Sequence, residues 1–153
     1  MKPRAIYAGS FDPFTVGHMD IVRKSAKVFD LTILIAENIN KAQIFSAAAR
    51  KQSISACMKE HNIPFHIEIF SGLIAEYARE NDITFLIRGL RNFMDYGYEE
   101  DIAQINKEIN PCLETVYFRS DRGFISSTFV RDLIAHNKDV SSYIPYDIEL
   151  LID

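Results

Sequence analysis

The sequence has 153 residues, of which 48% are apolar and 25% charged, the balance of an ordinary globular chain with enough material for a proper core. Its net charge of -4 argues against a dedicated nucleic-acid binder, which carries a basic surplus. Cys57 and Cys112 form no disulfide framework, and the four histidines (His18, His61, His66, His136) are too scattered to read as metal ligands.

Taken in order, the short apolar run Ala5-Ile6-Tyr7 predicts a first strand, followed by the loop Gly9-Ser10-Phe11-Asp12-Pro13-Phe14-Thr15-Val16-Gly17-His18. Ile21, Val22, Ser25, Ala26 and Phe29 stand at helical spacing, so a helix is expected over Gly17 to Asp30. Leu31 to Ala36 is a nearly continuous apolar run, suited to a parallel strand buried on both faces. Beyond a polar loop, Glu37 to Gln43, Ser46 is an N-cap for a helix over Ala47–Lys59. Phe65 to Phe70 alternates like a strand, and Ser71 is expected to cap a helix across Leu73–Glu80. Thr84 to Ile87 reads as a fourth strand with Arg88-Gly89-Leu90-Arg91 after its end. Tyr98, Ile102, Ile105 and Ile109 mark one face of a longer helix that Asn110-Pro111 stops. Thr115 to Phe118 is a fifth strand. Ser126-Ser127 opens a helix with Val130, Leu133 and Ile134 inward, and a last short helix with Ile148, Leu151 and Ile152 follows Pro145.

Strands that alternate with helices predict an α/β fold: a doubly wound, Rossmann-like sheet of five parallel strands with helices on both faces. No repeat, linker or low-complexity segment interrupts it, so a single domain over 1–153 is expected. Met1-Lys2-Pro3-Arg4 opens no signal peptide and no apolar run reaches membrane-spanning length, so a cytoplasmic chain without membrane or nucleic-acid partners is expected.

In such sheets ligands bind beyond the carboxyl ends of the strands, where the strand order switches. Gly9 and Ser10 let a ligand approach the backbone, Gly17 is able to take a positive φ, and the helix start at His18 offers free N–H groups to an anion. Arg88 and Arg91 add two guanidinium forks suited to phosphate. Lys41, read alone, is as well explained as a solvated lysine. Glu99 fits either an exposed helix carboxylate or a contact to a ribose or metal-bound water. Ser126, Ser127 and Thr128 cap a helix in any fold and also make a second phosphate cradle, with Arg122 just upstream. There is no cysteine–histidine pair, nucleophile elbow or Walker motif. What remains is an anion-binding pocket with one well-placed histidine, which suits direct phosphoryl-type transfer.

Tyr7 to Pro13, Thr15-Val16-Gly17-His18, Phe70 to Leu73, Leu86 to Arg91, Tyr98-Glu99 and Ile125 to Arg131 stand in the order and spacing of bacterial phosphopantetheine adenylyltransferases. The sequence thus resembles that family of the nucleotidylyltransferase superfamily over nearly its whole length. Thr15 and the Leu-Ile-Arg-Gly-Leu-Arg segment make the resemblance specific. It implies transfer of the adenylyl group of ATP to 4'-phosphopantetheine, with Mg2+, by direct in-line attack. It implies that His18 stabilises the transition state, and that Gly9, Ser10 and His18 meet ATP. Gly89, Leu90, Arg91 and Glu99 would also hold ATP, as would the loop of Arg122, Gly123, Phe124, Ile125, Ser126, Ser127 and Thr128. Ser10, Lys41, Ile74 and Arg88 would hold phosphopantetheine. A homohexamer with coenzyme A as feedback inhibitor is implied by the resemblance alone.

Ala8, Ser10 and Ile74 depart from the commoner family residues, as do Ala47-Ala48-Ala49 and a short loop before Phe124. Relatives acting on nicotinamide mononucleotide, or on glycerol phosphate with CTP, usually carry histidine where Thr15 stands and lack the Arg-Gly-Leu-Arg segment. A nucleotide-binding regulator without turnover is the other reading, and it would not need His18.

Overall fold

The computed structural model describes residues 1–38 and 40–152. Its strands are β1 (Arg4–Gly9), β2 (Asp30–Ala36), β3 (His66–Phe70), β4 (Phe85–Leu90) and β5 (Glu114–Arg119). The helices are α1 (Val16–Ser25), α2 (Ala47–Glu60), α3 (Ile74–Glu80), α4 (Phe93–Ile109) and α5 (Ser127–Ala135), followed by a 3-10 turn over Ile148–Leu151. The sheet is parallel throughout, in the order β3-β2-β1-β4-β5. The chain therefore steps outward from β1 to β3, then returns to the other side of β1 for β4. The switch point lies between β1 and β4.

Period-two alternation along the central strands splits the core. Tyr7, Ile33, Ile35 and Ile87 point one way and pack on α1 and α2 through Ile21, Val22, Ile54 and Met58. Ile6, Ala8, Leu34 and Leu86 point the other way, onto Ala75, Tyr77 and Ala78 of α3. Both faces of the sheet are covered, as the apolar runs predict. A smaller cluster of Ile125, Val130, Val140 and Ile144 seats α5 and the segment after it. Among the described residues no helix is long and apolar enough to cross a membrane.

Several local expectations change. α1 stops at Ser25, whose hydroxyl turns back onto the Ile21 carbonyl, and Asp30 already belongs to β2 because its N–H pairs with the Pro3 carbonyl. Ser71 caps nothing: α3 begins after Leu73 with no side-chain cap, because the chain must first pass Gly72 at φ 151. Arg88, Gly89 and Leu90 lie inside β4 rather than after it, since their register with Tyr117, Phe118 and Arg119 extends the ladder. The apolar stripe of α4 meets the core at Ile109 but is largely open before it. Tyr98 and Ile105 are 68% and 60% exposed, while Glu99 is the buried residue of the helix.

Gly17 sits within the first turn of α1, not at a positive φ. What demands glycine there is space: a Cβ would lie 3.2 Å from the Ile125 carbonyl oxygen and 3.3 Å from that of Arg122. Gly17→Val is expected to cost about 2 kcal/mol in urea unfolding, because the obstacle is backbone that has to move as a unit.

Candidate active site

A cleft of about 340 Å3 opens at the switch point. Of the residues singled out from sequence, Gly9 and Ser10 line it from the first loop, His18 from the first turn of α1, and Lys41 from the loop after β2. Arg88, Gly89 and Arg91 come from β4 and its exit, and Gly123, Ile125, Ser126, Ser127 and Thr128 from the opposite wall. Leu90, Glu99, Arg122, Phe124 and Ile74 are not part of its lining. Ile74 opens α3 and packs at the edge of that helix's core cluster. Phe124 is 73% exposed, with the Arg122 guanidinium 5.7 Å above its ring.

The first loop is held open by its surroundings. Phe11 takes a left-handed φ of 49°, a strained choice for a bulky residue of the kind that gathers at functional sites. Its ring fills the space beside Gly9, where an added Cβ would lie 2.9 Å away, and meets Tyr7, Phe14 and His18. The loop carbonyls are claimed by donors from distant elements. Arg50 of α2 donates to Ser10, Arg131 of α5 to Asp12 at 2.7 Å, Ser127 to Pro13 at 2.8 Å and Tyr146 to Phe14 at 3.0 Å.

His18 is the third residue of α1, and Thr15 is the N-cap. The Thr15 N–H donates to His18 Nδ1 at 2.9 Å, and the His18 N–H returns to Thr15 Oγ1 at 3.4 Å. This is a capping box with histidine in the place of Glu or Gln. An Nδ1 that accepts from a backbone N–H carries no proton, so the neutral ring presents Nε2–H on the side away from Thr15. Burial, then the positive charges of Arg91 and Arg88, push the His18 pKa down to about 4.

That shift has a stability consequence. Between pH 4 and 6.5 the unfolded chain binds a proton at this histidine that the folded chain refuses. Stability should therefore rise with pH across that window, by on the order of 3 kcal/mol, and level off above it. Urea unfolding at several pH values should show the slope in wild type and its loss in His18→Asn.

Arg88 is fixed by a bidentate pair with Glu99, Nε to Oε2 at 2.6 Å and Nη2 to Oε1 at 2.8 Å, and by Nη1 to the Ala8 carbonyl at 3.2 Å. Of its five N–H donors, the remaining two meet no acceptor among the described residues. Glu99, open between two readings in the sequence, is thus the partner that aims Arg88. Arg91 is aimed in the same way by Asp95, which accepts from its backbone N–H, Nε and Nη2. On the opposite wall, Ser126 caps α5 through the Phe129 N–H at 3.1 Å. The loop before α5 is anchored to α1 by Lys24, which donates to the Arg119 carbonyl, Asp121 and Asp20 at 2.7–3.0 Å.

The chain from 6 to 133 matches the model of the cytidylyltransferase-like family. It is 43% identical over 152 residues to the phosphopantetheine adenylyltransferase of Cytophaga hutchinsonii, covering 97% of this chain and 100% of that one. With the enzyme of that name from Buchnera aphidicola subsp. Schizaphis graminum it is 38% identical over 156 residues, covering 99% and 94%. The chain belongs to the phosphopantetheine adenylyltransferase family. The fold is shared more widely. The nicotinic acid mononucleotide adenylyltransferase of Plasmodium falciparum, solved in complex with NaAD, superposes with a TM-score of 0.67 at 14% identity, over 94% of this chain and 91% of that one.

Some features of this family member's site carried no reading from sequence. Arg131 lines the cleft while holding the Asp12 carbonyl and Thr128 Oγ1. The Thr15–His18 reciprocity was within reach, since a threonine three residues before a polar side chain at a helix start is the capping-box spacing.

Proposed function

We propose that the protein transfers the adenylyl group of ATP to 4'-phosphopantetheine, giving dephospho-coenzyme A and pyrophosphate, the penultimate step of coenzyme A biosynthesis, with residues 1–153 acting as one adenylyltransferase unit. The observation that carries this reading is a neutral His18 lining a cleft flanked by Arg88 and Arg91, in a chain whose relatives bear that name and are matched over nearly their full length.

In the proposed step a phosphate oxygen of the acceptor attacks the α-phosphorus of ATP in line. The new P–O bond forms as the bond to the β-phosphate oxygen breaks, and pyrophosphate leaves with that electron pair. An acceptor phosphate near neutral pH is already largely deprotonated, so no general base is required. His18 donates from Nε2 to a non-bridging α-phosphate oxygen as charge builds there. Arg91, Gly89, Leu90 and the loop from Arg122 to Thr128 hold the nucleotide, Lys41 and Arg88 draw in the acceptor phosphate, and Ser10 lies between the two. Glu99 serves this site through Arg88.

Magnesium would neutralise the triphosphate. The carboxylates around the cleft are already engaged: Asp12 by two backbone N–H groups, Glu99 by Arg88 and Asp95 by Arg91. Among the described residues no group of three His, Cys, Asp or Glu is placed to hold a metal. The described residues thus offer no ligand set of their own, and Mg2+ is proposed to arrive on the ATP phosphates.

We also propose a cytoplasmic homohexamer with feedback by coenzyme A. The exposed Phe93, Met94, Tyr98 and Ile105 of α4 support self-association, because apolar groups in such number on one helix favour a partner.

The test is pyrophosphate release with ATP, Mg2+ and 4'-phosphopantetheine, wild type beside His18→Ala, with parallel wells offering nicotinamide mononucleotide and glycerol phosphate with CTP. Release that depends on phosphopantetheine and collapses in the variant is expected. Turnover of another acceptor instead would move the chain elsewhere in the superfamily. ATP binding without any turnover would leave a nucleotide-binding regulator.

A further inference from the structure

Arg50 of α2 is a buried charge that the proposed reaction does not use. It is 1% exposed, and its hydrogen-bond partners are all neutral. Nε donates to the Phe45 and Ser46 carbonyls at 3.1 and 3.3 Å, Nη2 to Gln43 Oε1 at 2.6 Å, and Nη1 to the Ser10 carbonyl. Burying a guanidinium without a directly paired carboxylate is costly, and the return is a set of strong charge-assisted bonds in one rigid fork.

Those bonds converge on two segments. Gln43, Phe45 and Ser46 belong to the stretch between β2 and α2, and Ser10 belongs to the loop after β1. From the other side Asp12, 4% exposed, accepts from the Ile44 and Phe45 N–H groups at 3.0 and 3.1 Å. A buried cation and a buried anion thus grip the stretch 43–46 from two sides and meet at Phe45. Among the described residues the Gln43 side chain is held by Arg50 alone, and its buried Nε2 meets no partner there. Two residues upstream stands Lys41, exposed and on the rim of the cleft.

We propose that Arg50 is a positioning residue for the acceptor side of the site. It locks segment 43–46 to the Ser10 loop, and so keeps Lys41 over the cleft before the acceptor phosphate arrives. The nucleotide side hangs on other supports, Asp95 for Arg91, α5 for the opposite wall, and Arg131, Ser127 and Tyr146 for the rest of the Ser10 loop, so loss of Arg50 weakens acceptor binding far more than nucleotide binding. This inference rests on the adenylyltransferase reading given above.

The experiment compares wild type, Arg50→Met and Arg50→Lys in two readouts. One is initial rates with phosphopantetheine varied at saturating ATP, and the reverse. The other is tryptic cleavage after Lys41 in the native protein. In Arg50→Met the acceptor KM should rise about tenfold or more, with the ATP KM and kcat within about threefold of wild type, as expected when preorganisation of one subsite is lost. Cleavage after Lys41 should quicken, and Arg50→Lys should recover part of both effects. An acceptor KM unchanged in folded Arg50→Met overturns the proposal, and so does a parallel change in both KM values and kcat. Should Arg50→Met not fold, Gln43→Leu severs a single bond of the fork. A raised acceptor KM and faster cleavage are then expected, and no change in either overturns the proposal. A wild type inert toward phosphopantetheine would defeat the functional reading instead. Proteolysis would still decide whether Arg50 orders the Lys41 segment.

Discussion

Replacing His18 with alanine should lower kcat about a thousandfold while leaving the KM for ATP within a few-fold, the pattern of a donor whose bond matters chiefly in the transition state. The argument runs through the tautomer. Thr15 N–H occupies Nδ1 at 2.9 Å, so Nε2 is the donor and no proton has to be gained first. Phe11 and Phe14 hold the ring, with centroids 5.1 and 5.4 Å away, so the donor is aimed before substrate arrives. Alanine removes the donor and also the reciprocal half of the cap. His18→Asn, which keeps an acceptor for Thr15 but cannot reach as far, should restore stability without restoring rate. Rapid-quench measurement of product formation beside urea unfolding separates the two losses. A kcat for His18→Ala within tenfold of wild type would remove His18 from the chemistry.

Glu99→Ala should be the more damaging change for the fold. Arg88 and Glu99 side chains are 27% and 10% exposed, and removing one partner of a buried pair leaves the other charge unpaired, at about 3 kcal/mol or more. For a chain of this size that corresponds to a fall in Tm of about 6–12 °C. Without the bidentate grip Arg88 also loses its aim, and the acceptor KM should rise about tenfold, since an unfixed side chain must be ordered at binding. Glu99→Gln, which preserves one acceptor, should fall between. Calorimetry and acceptor titration give the two numbers, and a Glu99→Ala protein as stable as wild type would mean that the pair adds nothing net.

The sheet and its site were legible because their signals are local. Leu31 to Ala36 is apolar but for Thr32, which is itself buried, and the small residues around Gly9 and the pair Arg88 and Arg91 follow apolar runs directly. The strand order was not legible, since nothing local says on which side of β1 the chain returns. Ser71 looked like a cap because it is a serine before a helix, but the cap position falls two residues later, after the backbone has turned at Gly72. For the α4 stripe, periodicity reported which residues share a face but not what that face meets. Arg50 carried no signal at all. It lies among Ala49, Ser53 and Ile54 on the buried side of α2, and a lone arginine there reads as a solvated charge until its acceptors are known.

The donors that grip the first loop have a bearing on synthesis. The loop from Ser10 to Phe14 leaves the ribosome early, yet three of the groups that hold its carbonyls, Ser127, Arg131 and Tyr146, are translated more than a hundred residues later. A nascent chain that has already paired β1 with β2 thus carries this loop with the Asp12, Pro13 and Phe14 carbonyls unheld. Such a chain has a sheet but no finished cleft, and competence to bind appears late, with the arrival of α5 and the segment beyond it.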